Sequence, residues 1–132
     1  MNNQEIFFKS NGHKERFVTI LSAFGRSGDT QIDAQIEAEY ASSLYLLTAN
    51  PAIWGRAKDY VSDSGILYDQ MLKEVHFSST EVALIKLAAN LFGSGMDADP
   101  VTLCDFGNDE DFDVMLSALR LRRSRLKFSD FQ

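Results

Sequence analysis

The chain is poor in the residues that build cross-linked or metal-stabilised proteins. Among its 132 residues are one cysteine, Cys104, and two histidines. A single cysteine excludes a disulfide within the chain and a cysteine-rich zinc site. His13 and His76 stand far apart and do not form an HExxH-type pair. We therefore expect no metal ligands and no cofactor; His13 should be exposed in the first turn of a helix, and His76 should lie in a loop.

Long apolar runs are missing too. No segment approaches the roughly 18 apolar residues of a membrane span, and the residues after Met1 lack the apolar core of a signal peptide. These absences predict a cytoplasmic protein that makes no membrane contact. Basic residues are fewer than acidic ones, 13 against 19, which gives a net charge of −6. This balance disfavours non-specific binding of nucleic acid, because phosphates would be repelled.

What is present is typical of one globular domain, spanning residues 1–132. Apolar residues make up 45 % of the chain and charged residues 24 %, both ordinary shares for such a domain. A chain of this length buries roughly two-thirds of the surface that its unfolded form exposes. It can therefore fold without disulfides or a structural metal.

Apolar residues recur at helical spacing along most of the chain. The predicted fold is all-α, a compact bundle of five to six helices, with residues 5–10 as a short strand or an extended arm. Capping residues, glycines and prolines set the predicted limits. In order, these are Ser10 or Asn11 to Gly25, about Thr30 to Thr48, Pro51 to about Val61, about Ile66 to Val75, Ser78 to Phe92, and Asn108 or Asp109 through Leu126.

Residues 79–92 are predicted to form the buried central helix. Ser78 and Glu81 have the spacing of a capping box. Apolar side chains cover nearly the whole circumference, and only Lys86 and Asn90 leave a polar stripe. A helix that is apolar almost all round is enclosed by its neighbours. The last helix, by contrast, is predicted to bury a narrower stripe made of Phe112, Met115, Leu116, Leu119 and Leu126.

Residues 97–113 carry seven carboxylates and no basic residue. Four of these acids open the last helix and basic residues close it, an order that the helix dipole favours by about 0.3–1 kcal/mol for each charge. Two functional alternatives stay open: an adventitious cation site, although no register fits a calcium loop, and a surface that occupies the phosphate site of a basic partner. Asp97, Asp99 and Asp105 favour the second alternative, because they precede the helix and its dipole does not explain them.

The basic end of the last helix is the best candidate for contact with nucleic acid. Its members are Arg120, Arg122, Arg123, Arg125 and Lys127. Arginine suits phosphate because its planar group presents several donors. The structural alternative is that these side chains pair with Asp69, Glu74 or the acids of residues 97–113.

Cys104 lies near two apolar residues, Leu103 and Phe106, and is predicted to be a small buried hydrophobe. A nucleophilic role would require a nearby base and an electropositive setting, whereas acids surround it in the sequence. With no other converging acid, base or nucleophile, the sequence predicts a protein that is not an enzyme.

Three segments together resemble a known family. They are FFKSNGHKERF (7–17), ASSLYLLTAN (41–50) and ALIKLAANLFGSG (83–95). The chain resembles a family of small uncharacterised helical proteins from prophages and mobile elements of Firmicutes, which share an F-x4-HK-x2-F opening, a YLL segment and an LA-x-NL-[FY] helix. The more acidic segment 97–113 departs from that pattern. The resemblance implies a mobile-element origin and no particular activity.

The predicted function is therefore binding. The first hypothesis is an inhibitor or regulator that binds a host or phage protein through the acidic surface at Asp97, Asp99 and Asp105. The alternative is an accessory protein that binds nucleic acid through the C-terminal arginines.

Overall fold

The computed structural model describes residues 6–24, 37–105 and 108–123. In chain order the elements are α1 (Asn11–Ala23), α2 (Ala38–Ala49), α3 (Pro51–Ala57), a 3-10 turn (Lys58–Tyr60), β1 (Val61–Ser62), β2 (Gly65–Ile66), α4 (Tyr68–Glu74), α5 (Ser79–Phe92), α6 (Pro100–Asp105) and α7 (Asp109–Arg123). The predicted helical bundle is confirmed. In the described ranges it has seven α-helices, one more than the upper limit predicted.

The structure confirms the predicted helix caps at Ser10, Asn50, Ser78 and Gly93. The hydroxyl of Ser10 accepts a hydrogen bond from the first turn of α1, and the Asn50 side chain does the same for α3. Ser78 and Glu81 form the full capping box of α5, and Gly93 ends that helix with φ of 94°. That left-handed conformation suits glycine because no Cβ meets the carbonyl oxygen.

Two predicted limits, the end of α1 at Gly25 and the start of α2 at Thr30, lie outside the described residues. The third predicted helix is shorter than expected. It ends at Ala57, and a small antiparallel hairpin follows, in which Val61 pairs with Ile66. The Tyr40 hydroxyl donates to the carbonyl of Ser62 at 2.6 Å and fixes this hairpin against α2.

Residues 6–10 form an extended arm, not a strand. The N–H of Phe7 donates to the Ser117 hydroxyl at 2.9 Å, and the Tyr45 hydroxyl donates to the carbonyl of Phe7. The Lys9 ammonium lies 3.0 Å from Asp111. The arm is thus attached to both α2 and α7.

Helix α2 is the most enclosed helix, a position that the sequence analysis gave to residues 79–92. Every residue from Tyr40 to Ala49 is buried, and α2 packs against α5, α7, α1 and α3. Its polar side chains have acceptors inside the protein: Ser43 donates to the carbonyl of Ala88 at 2.8 Å and Thr48 to that of Leu44 at 2.8 Å. Serine and threonine that donate to carbonyls in this way can be buried without an unsatisfied hydroxyl.

Helix α5 is the main partner of α2. Its second half is buried through Ile85, Leu87, Ala88, Ala89 and Leu91, while Lys86 and Asn90 are exposed as predicted. The residues nearer its start, Val82 to Leu84, are only half-buried.

The buried face of α7 differs from the predicted stripe. Val114, Met115, Ser117, Ala118 and Leu121 are buried, so only Met115 was assigned correctly. Phe112, Leu116 and Leu119 are exposed, and Leu126 lies outside the described residues. This face packs against α2, a contact that the spacing of large apolar residues does not reveal.

Candidate functional site

An open groove of about 390 Å³ runs between α5 and the segment that follows it. It is lined by Ser79, Val82, Ala83, Lys86, Asp97, Ala98 and Asp99. The floor is apolar, and charged side chains stand on its two walls. The volume lies within the range of roughly 300–1,000 Å³ common for ligand sites, and the groove is open to solvent.

Local structure places the acidic wall of this groove. Beyond Gly93 the chain turns back along α5, and the side-chain amide of Asn90 donates to the carbonyl of Met96 at 2.8 Å. Met96 also packs on the core. These two contacts hold the backbone immediately before Asp97 against α5, so that Asp97 stands at the groove.

Asp99 caps the start of α6 and also lines the groove. One carboxylate oxygen accepts a hydrogen bond from the N–H of Val101 at 3.0 Å, at the start of α6. The side chain nevertheless belongs to an exposed residue that lines the groove. The six-residue helix α6 was not predicted; the N-cap aspartate followed by Pro100 is the local signal that could have found it.

The three predicted acidic site residues are only partly brought together. Asp97 and Asp99 line one groove, whereas Asp105 is exposed at the far end of α6 and is not among the lining residues. Sequence reasoning missed the other wall of the site. Lys86 was seen only as part of a polar stripe, and the half-buried Val82 and Ala83 were assigned to the core.

The basic residues of α7 are divided between structure and surface. The Arg122 guanidinium donates through Nε to the carbonyl of Leu91 at 2.8 Å and lies 3.6 Å from the Glu39 carboxylate. Arg122 therefore supplies a donor to a carbonyl at the C-terminal end of α5. Its acidic neighbour is Glu39, and not Asp69, Glu74 or the acids of residues 97–113 as predicted. Arg120 and Arg123 are exposed. Arg125 and Lys127 lie outside the described residues.

His13 is buried, which corrects the prediction of an exposed residue. Its Nδ1 accepts a hydrogen bond from the N–H of Lys9 at 3.1 Å, and its Nε2 lies 2.9 Å from the carbonyl oxygen of Tyr45, to which it donates. Burial lowers the pKa of His13 to about 4, an effect partly offset by the bond to Tyr45 and assisted by the positive charge of Arg16. The ring is neutral at pH 7, and both nitrogens are used within the protein, so it has no lone pair left for a metal.

Cys104 is exposed, not buried as predicted. In α6 the preceding residue, Leu103, points into the core and is 6 % exposed. Neighbouring positions of a helix point about a quarter of a turn apart. Since Leu103 faces the core, Cys104 faces solvent. Across the described ranges, no group of three or more His, Cys, Asp or Glu side chains is arranged to hold a metal ion.

Comparisons of the chain with protein-family models, with curated proteins and with solved structures found no match. None of the helices in the described residues has both the length and the apolar character needed to cross a membrane.

Proposed function

We propose that this chain is a non-enzymatic binding protein that holds a segment of a basic protein partner in the groove between α5 and residues 96–99. The observation that carries the proposal is the placement of two exposed carboxylates, Asp97 and Asp99, above a floor formed by Val82, Ala83 and Ala98. A basic side chain of the partner would bind the carboxylates, and a neighbouring apolar side chain would cover the floor.

The chemistry of this groove favours a protein over a small metabolite. Hydrogen bonds between carboxylates and Arg or Lys are stronger than those between neutral groups, and burial of apolar area adds affinity at about 25 cal/mol per Å² before the costs of association. Lys86 on the facing wall would discriminate against a segment with too many positive charges. The net charge of −6 would accelerate encounter with a basic partner at low ionic strength.

The proposal includes an inhibitory or regulatory role toward a host or phage protein, in the cytoplasm, with the origin in a mobile element that the sequence resemblance implies. Catalysis is not part of it. Both ring nitrogens of His13 have protein partners, and the exposed Cys104 is followed in the sequence by the acidic Asp105.

The test is an affinity capture with matched charge variants. The triple variant Asp97→Asn/Asp99→Asn/Asp105→Asn removes three charges while asparagine at position 99 can still accept the N–H of Val101. The control triple, Asp59→Asn/Asp63→Asn/Asp69→Asn, removes three charges from exposed positions outside the groove.

We expect a host protein to be retained by the wild type and by the control, and lost from the groove variant. The captured protein, once purified, should bind with an affinity that falls as salt is raised. A partner retained equally by all three proteins would contradict the acidic site. The variant Ala83→Arg, which fills the apolar floor, would then show whether that partner binds in the groove or at another surface.

The alternative is binding of nucleic acid through α7, favoured by the exposure of Arg120 and Arg123. It predicts a salt-dependent electrophoretic shift with DNA or RNA, which Arg120→Gln/Arg123→Gln should abolish. No shift by the wild type at low salt would end this alternative.

A further inference from the structure

The outer face of α7 carries an apolar stripe that the described residues of the chain leave exposed. Phe112 is 39 % exposed, Leu116 37 % and Leu119 47 %. Their spacing of four and then three residues places them in one line along the helix. That spacing is the one by which two helices pack along a shared seam.

The stripe lies opposite the face that packs on the core. Residues such as Val114, Ala118 and Leu121 are buried there, and α2 is the principal neighbour. The fold of the described chain is therefore already complete without the outer stripe. Exposed apolar residues in a line, in contrast to scattered ones, indicate a contact surface.

Charges along the same exposed side are polarised. Asp109 and Asp113 are exposed near the start of α7, and Arg120 and Arg123 are exposed near its end. A partner matched to this face must present positive charge at one end, negative charge at the other, and apolar residues between them. Helix α7 of a second copy, turned end for end, presents that order.

We propose that α7 packs antiparallel against α7 of a second copy of this chain, with the two-fold axis beside Leu116. In that register Asp113 faces the partner's Arg120, and Asp109 faces the partner's Arg123. Symmetry repeats both pairs, so four ion pairs flank a seam of six apolar side chains. A parallel arrangement would instead place carboxylates opposite carboxylates and guanidinium groups opposite guanidinium groups, which is unfavourable.

This dimer uses a different face from the groove, and it goes beyond the proposed function. A second copy also accounts for the whole face better than nucleic acid does, because the phosphates would meet Asp109 and Asp113 along with the arginines. The helix has 15 residues and is therefore about 22 Å long. So short a seam is smaller than a standard interface, and we expect a weak dimer with a dissociation constant on the order of 10–100 µM.

Sedimentation at increasing concentration tests the association. The wild type should pass from monomer to dimer between about 1 µM and 1 mM, on either side of the expected dissociation constant. Leu116→Lys should weaken dimerisation at least tenfold, because two like charges would meet at the axis. The control Leu67→Lys changes a leucine that is 56 % exposed outside α7, and it should dimerise as the wild type does.

Cross-linking tests the orientation. In a Cys104→Ser background, Leu116→Cys should form a disulfide between copies, because the two side chains meet at the axis within the reach of that bond. Phe112→Cys should not, since in the antiparallel register the two copies of position 112 lie roughly 13 Å apart along the helices. A disulfide from Phe112→Cys would indicate the parallel arrangement and overturn the proposal.

Charge exchange tests the register. Asp113→Arg and Arg120→Asp should each weaken the dimer severalfold, and the double variant should recover it because the pair is restored in the opposite sense. Circular dichroism and thermal unfolding identify any variant that fails to fold. A wild type that stays monomeric at about 1 mM, or a dimer to which Leu116→Lys makes no difference, would refute this use of α7.

Discussion

Helix α2 is buried at every position from Tyr40 to Ala49, whereas its neighbour α7 buries one face and leaves the other in solvent. Residue type alone does not explain this difference at every position. The segment Tyr40–Ala49 includes Ser42, Ser43 and Thr48, yet all three are buried. Three of the large apolar residues of α7 are exposed. At these positions burial follows the place of the helix among its neighbours and not residue type alone.

This contrast has a functional side. The residues of α2 are fully used in packing and in internal hydrogen bonds, so their substitution should alter stability first. The outer face of α7 and the charged walls of the groove beside α5 are exposed, so their substitution should alter binding and leave the fold intact. The four predictions below test that division, beginning with the largest effect.

The largest loss of stability should come from truncating α2. Leu44 is fully buried, and Leu44→Ala should lower the free energy of unfolding by about 2–5 kcal/mol, because it removes buried apolar area and leaves a cavity. Denaturant unfolding of the variant and the wild type measures the difference. A loss below about 1 kcal/mol would mean that α2 is less enclosed than the structure indicates.

The next effect is a dependence of stability on pH at the contact between α1 and α2. The folded pKa of His13, about 4, lies below the value of roughly 6.5 expected for the unfolded chain. Unfolding therefore takes up a proton between these values, and stability should fall by about 3 kcal/mol as pH drops from 6.5 to 4. Above pH 6.5 this contribution is fully present.

The variant His13→Asn retains an acceptor for the N–H of Lys9 but has no titratable ring. Its unfolding free energy should be lower than that of the wild type at pH 7 and should change less between pH 6.5 and 4. His76→Asn alters the exposed loop histidine and should keep the slope of the wild type. Equal slopes for the wild type and His13→Asn would show that His13 is not the group responsible.

A smaller loss should follow from Arg122→Gln, at the edge between the two faces of α7. The substitution removes the donor to the carbonyl of Leu91 and should cost about 1 kcal/mol. The pairing with Glu39 adds little, because both side chains are substantially exposed. Arg120→Gln changes an exposed arginine of the same helix and serves as the control. Its unfolding midpoint should equal that of the wild type within error.

The smallest effect should come from the outer stripe. Leu119 is 47 % exposed, and Leu119→Ser should change the stability of the monomer by no more than about 0.5 kcal/mol. Unfolding should be measured at a concentration well below that of dimerisation, because association would stabilise the wild type by mass action. A loss comparable with that of Leu44→Ala would erase the distinction between the two helices.

The sequence predicted the acidic residues of the candidate site but not the groove that they line. Excess negative charge identified Asp97 and Asp99, because their carboxylates had no role in the helix dipole. The groove itself depends on the turn after Gly93 and on the bond from Asn90 to Met96, contacts between segments whose relative position no local pattern gives. The stripe Phe112–Leu116–Leu119 was seen at the correct spacing and assigned to the wrong side, because periodicity gives a face and not its direction.

The sequence by itself determined where most of these helices start and stop. Caps such as Ser10, Asn50, Ser78 and Gly93 act on the backbone within one turn, so their effect is local and readable. Only the tertiary structure decided which helix lies at the centre, that His13 is buried and neutral, and which face of α7 is left exposed. Burial depends on what other segments supply across the interior, and hydrogen bonds such as that from His13 to Tyr45 exist only once those segments meet.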